Sequence, residues 1–145
     1  MVRSLLRVMG FGLVLYTGAL QAQESPNGGQ SVIVTHVLSA VTTAANQPIT
    51  FPKNNAEVIV SIYDIAPGAV LPVHKHPFPR FGYVLAGTLR VTNMQSGKSE
   101  TYNRGEFTVE SIGEWHQGTN PGSEPLKLLV IDTVEKGAKN TVVKE

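Results

Sequence analysis

The chain has 145 residues, a net charge of +1 and no cysteine. This length suits one small domain with a single hydrophobic core, and the scattered charges include no basic run of the kind that binds nucleic acid. The lack of cysteine excludes disulfides, thiolate ligands and a cysteine nucleophile, so any metal must be held by nitrogen and oxygen atoms.

The first 22 residues are predicted to be an export signal. Two arginines precede an apolar stretch from Val8 to Leu20, and Ala22 supplies a small residue for cleavage. The alternative is a membrane anchor, but an apolar run of about 13 residues is shorter than the roughly 20 needed to span a bilayer. We therefore expect cleavage after Ala22, a mature protein in the periplasm or outside the cell, and a flexible lead-in over residues 23–30.

From residue 31 to 135 the pattern predicts an all-β domain. Short segments rich in β-branched and aromatic residues alternate with glycine and proline turns, which is typical of a sandwich, barrel or jelly roll. No segment after the signal shows sustained helical periodicity. The remaining residues, 136–145, are predicted to form a loose tail. The predicted strands cover residues 31–38, 57–65, 80–86, 88–94, 99–103, 106–110 and 126–134.

The pair His74 and His76 is the strongest chemical signal in the sequence. Side chains alternate between the two faces of an extended segment, so both imidazoles project to the same side. A third histidine from another strand, His116, would complete three corners of a metal site, because imidazole binds most transition metals. His36 has no histidine neighbour in the sequence and is interpreted as an ordinary packed or surface residue.

Two spacings around these histidines resemble the signatures of the cupin superfamily. The first runs Gly68, five residues, His74-Lys75-His76, three residues, Arg80, six residues, Gly87. The second runs Gly105, five residues, Ser111-Ile112-Gly113, two residues, His116, three residues, Asn120. Arg80 stands where the first signature usually has glutamate, and Ser111 stands where the second usually has proline.

The resemblance implies a single-domain, cupin-type jelly-roll β-barrel with a metal pocket inside it. It also implies that His74, His76 and His116 are the metal ligands and that the protein forms a homodimer. The spacing does not choose between iron, manganese, zinc, nickel and copper, because imidazole accepts all of them.

Arg80 suggests what the pocket binds. Its guanidinium has only donors and cannot ligate a metal, so the usual glutamate ligand is missing. A divalent ion held by three neutral imidazoles would keep its charge, which favours an anionic small-molecule ligand whose carboxylate Arg80 would clamp. Alternatively, Arg80 turns outward or pairs with an acid such as Glu106, Glu110 or Glu114.

Two other residues are candidates for the site. Glu114 lies two positions from His116 and would share its face on an extended segment, which makes it a possible extra ligand. Tyr83 is a candidate substrate-binding residue, because an aromatic lining suits a small organic ligand, although the barrel core or rim is the simpler place for it.

Three functions remain open at this point. Three-histidine cupins include iron-dependent dioxygenases, so the first is a metal-dependent dioxygenase or other oxidoreductase acting on a small acidic molecule. The second is a module that binds a small ligand or a metal without catalysis. The third is a structural domain, because one fold hosts many functions.

Overall fold

The computed structural model describes residues 32–145, so the predicted signal and lead-in lie outside the described residues. The chain divides into two units, residues 1–34 and residues 35–145. Of the first unit only residues 32–34 are described, and they have no regular secondary structure. None of the described residues belongs to a helix with the length and hydropathy needed to cross a membrane.

Residues 35–145 form a fold of strands and turns. The strands are β1 (Ala56–Ile65), β2 (His74–Lys75), β3 (Arg80–Ala86), β4 (Thr88–Asn93), β5 (Ser99–Asn103), β6 (Phe107–Val109), β7 (His116–Thr119), β8 (Leu126–Glu135) and β9 (Val142–Val143). They build a four-stranded sheet in the order β1-β8-β3-β6 and a five-stranded sheet in the order β5-β4-β7-β2-β9. All strand pairs are antiparallel, which confirms the predicted all-β jelly roll.

The hydrophobic core lies between the two sheets. Every second residue of β8 from Leu126 to Val130 is buried, as expected for a strand with one face in the core. These side chains pack with Val84 of β3 and Leu89 of β4, which belong to opposite sheets. Further along the same inner face the buried side chains become polar, and this is where the candidate site lies.

Gly87 shapes the turn between β3 and β4. Its φ is +76°, and a Cβ atom at this position would lie 2.6 Å from the carbonyl oxygen of Pro125 and 2.8 Å from the Cα of Leu126. Only glycine meets both requirements, because other residues are strained at this φ and no side chain fits the space. The glycine therefore lets β3 turn directly beside the start of β8.

Most of the strand predictions are confirmed to within one residue at each end. The strand predicted over residues 31–38 is wrong where it can be compared, because residues 32–38 form no strand. The isolated contacts that follow belong to later residues: Ala44 donates one backbone hydrogen bond to Val109, and Thr42 forms an isolated bridge with Pro48. A segment with no continuous partner strand cannot satisfy the ladder of hydrogen bonds that a strand requires.

The prediction of a loose tail over residues 136–145 is also wrong. Val142 and Val143 form β9, which pairs with β2 and adds a fifth strand to that sheet. Asn140 is only 5% exposed. The C-terminal residues are therefore part of the fold.

The outer face of the four-stranded sheet is strongly apolar. Val58, Val60 and Ile62 alternate along β1 and are between 49% and 63% exposed. Phe81 and Phe107 lie near each other on β3 and β6, with ring centroids 6.2 Å apart, and line a groove together with residues 35–41. Exposed apolar surface of this kind often marks an interaction face.

Candidate metal centre

Strand pairing brings the three predicted histidines together. His74 lies directly opposite His116 in the pairing of β2 with β7. His76 follows two residues later and is held by an isolated bridge to Ile112. The centroids of the three imidazole rings are 4.5 to 4.9 Å apart, and each residue is at most 8% exposed. The two signatures therefore meet at one buried point.

Each imidazole is oriented by a backbone carbonyl. The Nδ1 atom of His74 lies 2.7 Å from the oxygen of Pro72, and that of His116 lies 3.0 Å from the oxygen of Glu114. The Nδ1 atom of His76 lies 2.5 Å from the oxygen of Asn140. A carbonyl can only accept, so each Nδ1 carries the hydrogen, and in the neutral ring Nε2 keeps a free lone pair. This arrangement is the one that prepares a histidine to bind a metal.

Glu110 adds a carboxylate to the three imidazoles. Its Oε2 atom lies 3.2 Å from Nε2 of His76 and 3.0 Å from Nε2 of His116. Despite this short distance, Nε2 of His116 has no hydrogen-bond partner of acceptable geometry among the described residues. A buried nitrogen without a partner is costly in a folded protein, and a metal ion between these atoms would satisfy it.

The four side chains form a set that could hold a metal ion. One ligand atom from each of His74, His76, Glu110 and His116 lies within 4.8 Å of every other. Ligands at about 2.1 Å from a tetrahedral ion lie about 3.4 Å apart, so small side-chain movements would close the shell. Three imidazole nitrogens suit zinc and iron, and the carboxylate oxygen also suits the harder ion manganese.

The charges in the cluster are mutually dependent. Burial raises the pKa of the Glu110 carboxyl, but the close approach of His116 and His76 outweighs this and lowers the pKa below its usual range. Burial lowers the pKa of His74, which favours the neutral imidazole that a metal requires. Burial also opposes a charge on His116, but Glu110 raises the pKa of this ring. The cluster thus contains a carboxylate that needs positive charge beside it.

Arg80 does not have the free guanidinium that the sequence interpretation required. Its Nε and Nη2 atoms donate to the two carboxylate oxygens of Asp132 at 2.7 and 2.8 Å, and Nη2 also donates to Thr141. Its Nη1 atom lies 3.4 Å from Nε2 of His76. The bidentate partner is therefore Asp132, which was not among the acids considered, and the predicted carboxylate clamp lacks the donors it would need.

Sheet register explains this arrangement. Arg80 lies opposite Asp132 in the pairing of β3 with β8. On its other side, the backbone nitrogen of Glu110 donates to the carbonyl of Arg80 at 2.9 Å, so Glu110 continues the pairing of β6 with β3. Cross-strand neighbours share a face, and the three side chains form a buried row of alternating charge. The carboxylate that is missing at position 80 is supplied from the adjacent strand.

Two of the predicted site residues lie elsewhere. Glu114 is outside the cluster, and its carboxylate accepts a hydrogen bond from Asn93 and a longer one from Gln47. Tyr83 lies on the outer face of β3, with its ring centroid 6.3 Å from that of Phe107. The reason is strand alternation: Arg80 and Gly82 point inward, so Tyr83 points outward.

A cavity of about 250 Å³ leads to the cluster. Its polar lining includes Lys98, Glu100, Tyr102, Thr108 and Glu114, together with Glu110 and His116 of the cluster. Lys98 and Tyr102 both donate to Glu100, at 2.8 and 2.6 Å, so the wall of the cavity is a connected polar network. A small molecule that entered this cavity would meet two of the four ligand side chains.

Asn120, the last residue of the second signature, has a structural role. Its Nδ2 atom donates to the carbonyls of Ile65, Ala66 and Glu124, and its Oδ1 atom accepts from Gly122. The side chain is 1% exposed and fully engaged. It ties together the loops at the end of β1 and after β7, and it takes no part in the cluster.

Comparison with known proteins agrees with the fold and the signatures. Residues 61–132 match the family described as Cupin domain. No curated protein gives a significant match.

Solved structures include several similar folds. The polyketide cyclase RemF from Streptomyces resistomycificus is 22% identical with a TM-score of 0.51, over 61% of this chain and 62% of that one. The oxalate decarboxylase of Lactobacillus farciminis, in a formate complex, is 24% identical with a TM-score of 0.51, over 59% of this chain and 26% of that one. A mutant of the oxalate decarboxylase of Bacillus subtilis is 26% identical with a TM-score of 0.50, over 59% and 23%.

This chain thus spans less than two thirds of the cyclase and about a quarter of the decarboxylases. The matched family covers both histidine segments, and the strand order and the buried histidines agree with it. The chain belongs to the cupin superfamily.

Proposed function

We propose that this protein is an exported cupin that binds a divalent metal ion through His74, His76, His116 and Glu110 and uses it in an oxidoreductase reaction on a small acidic molecule. The observation that carries the metal site is the buried set of three oriented imidazoles and one carboxylate. When bound, such an ion supplies Lewis acidity and, for manganese or iron, redox chemistry. The residues of the chain supply the ligands, the orientation and the cavity.

The charge balance supports an acidic ligand even without a clamp by Arg80. A divalent ion, three neutral imidazoles and the Glu110 carboxylate leave one positive charge at the centre. Arg80 and Asp132 form a buried pair that adds none. A buried positive charge favours a monoanionic ligand, and the similar oxalate decarboxylase of Bacillus subtilis is named for a small carboxylic acid.

The cavity supports a small ligand. With a volume of about 250 Å³, it suits a molecule of a few carbon atoms. Tyr102 lies in its wall and is a neutral hydrogen-bond donor at physiological pH, because burial and the hydrogen bond to Glu100 raise its pKa to about 12. Its single O–H is donated to Glu100, so Tyr102 gives the cavity a neutral wall and no free donor for a bound carboxylate.

The test combines metal binding with turnover. The untagged protein would be loaded with manganese, iron or zinc and incubated with small mono- and dicarboxylic acids, including oxalate, with and without dioxygen. The proposal predicts metal-dependent loss of one acid, and loss of that activity in His116→Ala but not in His36→Ala, since His36 is exposed. Turnover that is equal with and without metal would contradict it.

The second candidate is a binding module without catalysis. The hydrogen bonds of Arg80 favour this candidate. Because Nε and Nη2 already donate to Asp132, Arg80 is not free to position a substrate carboxylate. A ligand that binds only the folded state raises the melting temperature. This candidate predicts that an acid stabilises the metal-loaded protein and is recovered unchanged.

Export rests on the sequence of residues 1–22. We propose that the mature protein begins at Gln23, after cleavage behind Ala22. The N-terminal mass of the protein from a periplasmic extract tests this. A chain that keeps Met1 in the membrane fraction would contradict it.

A further inference from the structure

We propose that the C-terminal strap, residues 140–144, positions the metal centre, and that Asn140 is a positioning residue for His76. The inference rests on the proposed metal site. It goes further because it assigns a role in that site to a segment that neither cupin signature contains and that lies beyond the matched family region.

The strap is attached to the strand that carries the ligands. Val143 lies opposite His74, and Val142 lies opposite Lys75, in the pairing of β9 with β2. The backbone nitrogen of Lys144 donates to the carbonyl of Val73 at 2.9 Å. The strap therefore supports β2 along the edge that does not face β7.

Asn140 contacts the ligand His76 through its backbone. Its carbonyl oxygen lies 2.5 Å from Nδ1 of His76 and accepts the hydrogen of that nitrogen. This contact leaves Nε2 as the atom that faces Glu110. Since His76 is completely buried, no water can replace the carbonyl if it moves away.

The side chain of Asn140 fixes the position of this carbonyl. Its Oδ1 atom accepts from the backbone nitrogen of Phe78 at 2.8 Å, and its Nδ2 atom donates to Asp132 at 2.6 Å. Asp132 in turn holds Arg80, whose Nη1 atom lies 3.4 Å from Nε2 of His76. Asn140 thus acts on both nitrogen atoms of one imidazole, one directly and one through two intermediate residues.

A second contact joins the strap to the charged row. The Nη2 atom of Arg80 donates to Oγ1 of Thr141 at 3.1 Å. The strap consequently contacts the charged row at Asp132 and Arg80 as well as the ligand itself. Partners that orient a ligating histidine typically contribute about 10- to 100-fold to metal affinity.

The experiment uses the full-length mature chain and three variants. Asn140→Ala removes the side-chain anchor. Asn140→Asp keeps the size and the acceptor for Phe78 but places a carboxylate beside that of Asp132. Asn54→Ala is the matched control, because it makes the same substitution at an exposed residue outside the strap and outside the cluster.

Two measurements follow. Zinc affinity is measured by competition with a chelator, and the tautomer of His76 is measured in the metal-free protein by nitrogen-detected NMR, at a pH above the ordinary pKa of histidine. We expect Asn140→Ala and Asn140→Asp to weaken zinc binding at least 10-fold and to replace the single Nδ1–H tautomer of His76 with a mixture. Asn54→Ala should change neither quantity.

Folded Asn140 variants with unchanged zinc affinity and an unchanged His76 tautomer would overturn the inference. If Asn140→Ala does not fold, Asn140→Asp decides. If the wild-type protein binds no zinc, the proposed metal site fails, but the tautomer in the metal-free variants still decides whether Asn140 positions His76.

Discussion

Glu110→Gln tests the idea that the carboxylate ligand has moved from position 80 to the neighbouring strand. Glutamine keeps the size of the side chain and removes its charge, so it opens no cavity. The lost oxygen lies 3.0 to 3.2 Å from two of the ligand nitrogens. Outer partners of metal ligands cost about 10- to 100-fold in affinity when removed, so loss of a direct ligand should cost at least about 100-fold.

The effect on stability follows from this loss of affinity. At a metal concentration 1,000 times the wild-type Kd, binding stabilises the folded state by about 4.1 kcal/mol, and a 100-fold weaker Kd reduces this to about 1.4 kcal/mol. The difference of about 2.7 kcal/mol corresponds to a melting temperature lower by about 10 to 12 °C for a domain of about 110 residues. Thermal unfolding with and without metal measures it directly.

Glu114→Gln is the matched control. Glu114 lines the same cavity and is close to His116 in sequence, but its carboxylate is bound by Asn93 and lies outside the cluster. We expect its metal-dependent stabilisation to stay within about 0.5 kcal/mol of the wild-type value. If Glu114→Gln loses the stabilisation and Glu110→Gln keeps it, the assignment of the carboxylate is refuted.

Three further predictions concern the fold around the site. Asp132→Ala should lower the free energy of unfolding by about 3 to 5 kcal/mol, because it leaves the Arg80 guanidinium buried without its partner; chemical denaturation measures this, and a loss below about 1 kcal/mol would contradict it. Gly87→Ala should cost more than Gly105→Ala, since both have positive φ but only at Gly87 would the new Cβ meet backbone atoms; equal unfolding free energies would refute the close approach. Tyr102→Phe removes a phenol whose pKa in the folded protein, about 12, lies above its ordinary value. The free energy of unfolding of this variant should differ from that of the wild type by a constant amount below about pH 10, and the difference should shrink as the pH rises towards 12. A difference that grows over this range would be inconsistent with the buried hydrogen bond.

Local patterns predicted most of the fold. The strands at Ala56–Ile65 and Arg80–Ala86 have clear alternation or β-branched content, and the structure has them where the sequence predicts them. The strand at His116–Thr119 was missed, because its residues have low strand propensity and it is held by pairing with β2 and β4. Val142–Val143 was missed because two residues give no periodicity.

Local patterns in the sequence also predicted part of the site. The spacing of His74 and His76 placed two imidazoles on one face, and the second signature identified His116. The role of Glu110 depends on the register that places it, just beyond β6, opposite Arg80, and that register is a long-range property. One signal was available: Glu110 directly precedes the second signature's Ser111 and has the same alternation as the buried Thr108.

The sequence did not identify the partner of Arg80, because that contact also depends on long-range strand pairing. Asp132 is 52 residues away along the chain, and only the pairing of β3 with β8 places it opposite the guanidinium. The contribution of Asn140 could not be predicted either, because it depends on the return of the C-terminal residues to β2. The homodimer stays a prediction, and the apolar outer face of the four-stranded sheet is the surface on which to test it.

Anomalous X-ray diffraction from crystals of the untagged mature protein grown with zinc or manganese tests the central claim most directly. The account predicts one anomalous peak inside the barrel, about 2.0 to 2.2 Å from Nε2 of His74, His76 and His116 and from a carboxylate oxygen of Glu110. The absence of a peak at this cluster, or a peak whose carboxylate ligand is Glu114, would contradict it.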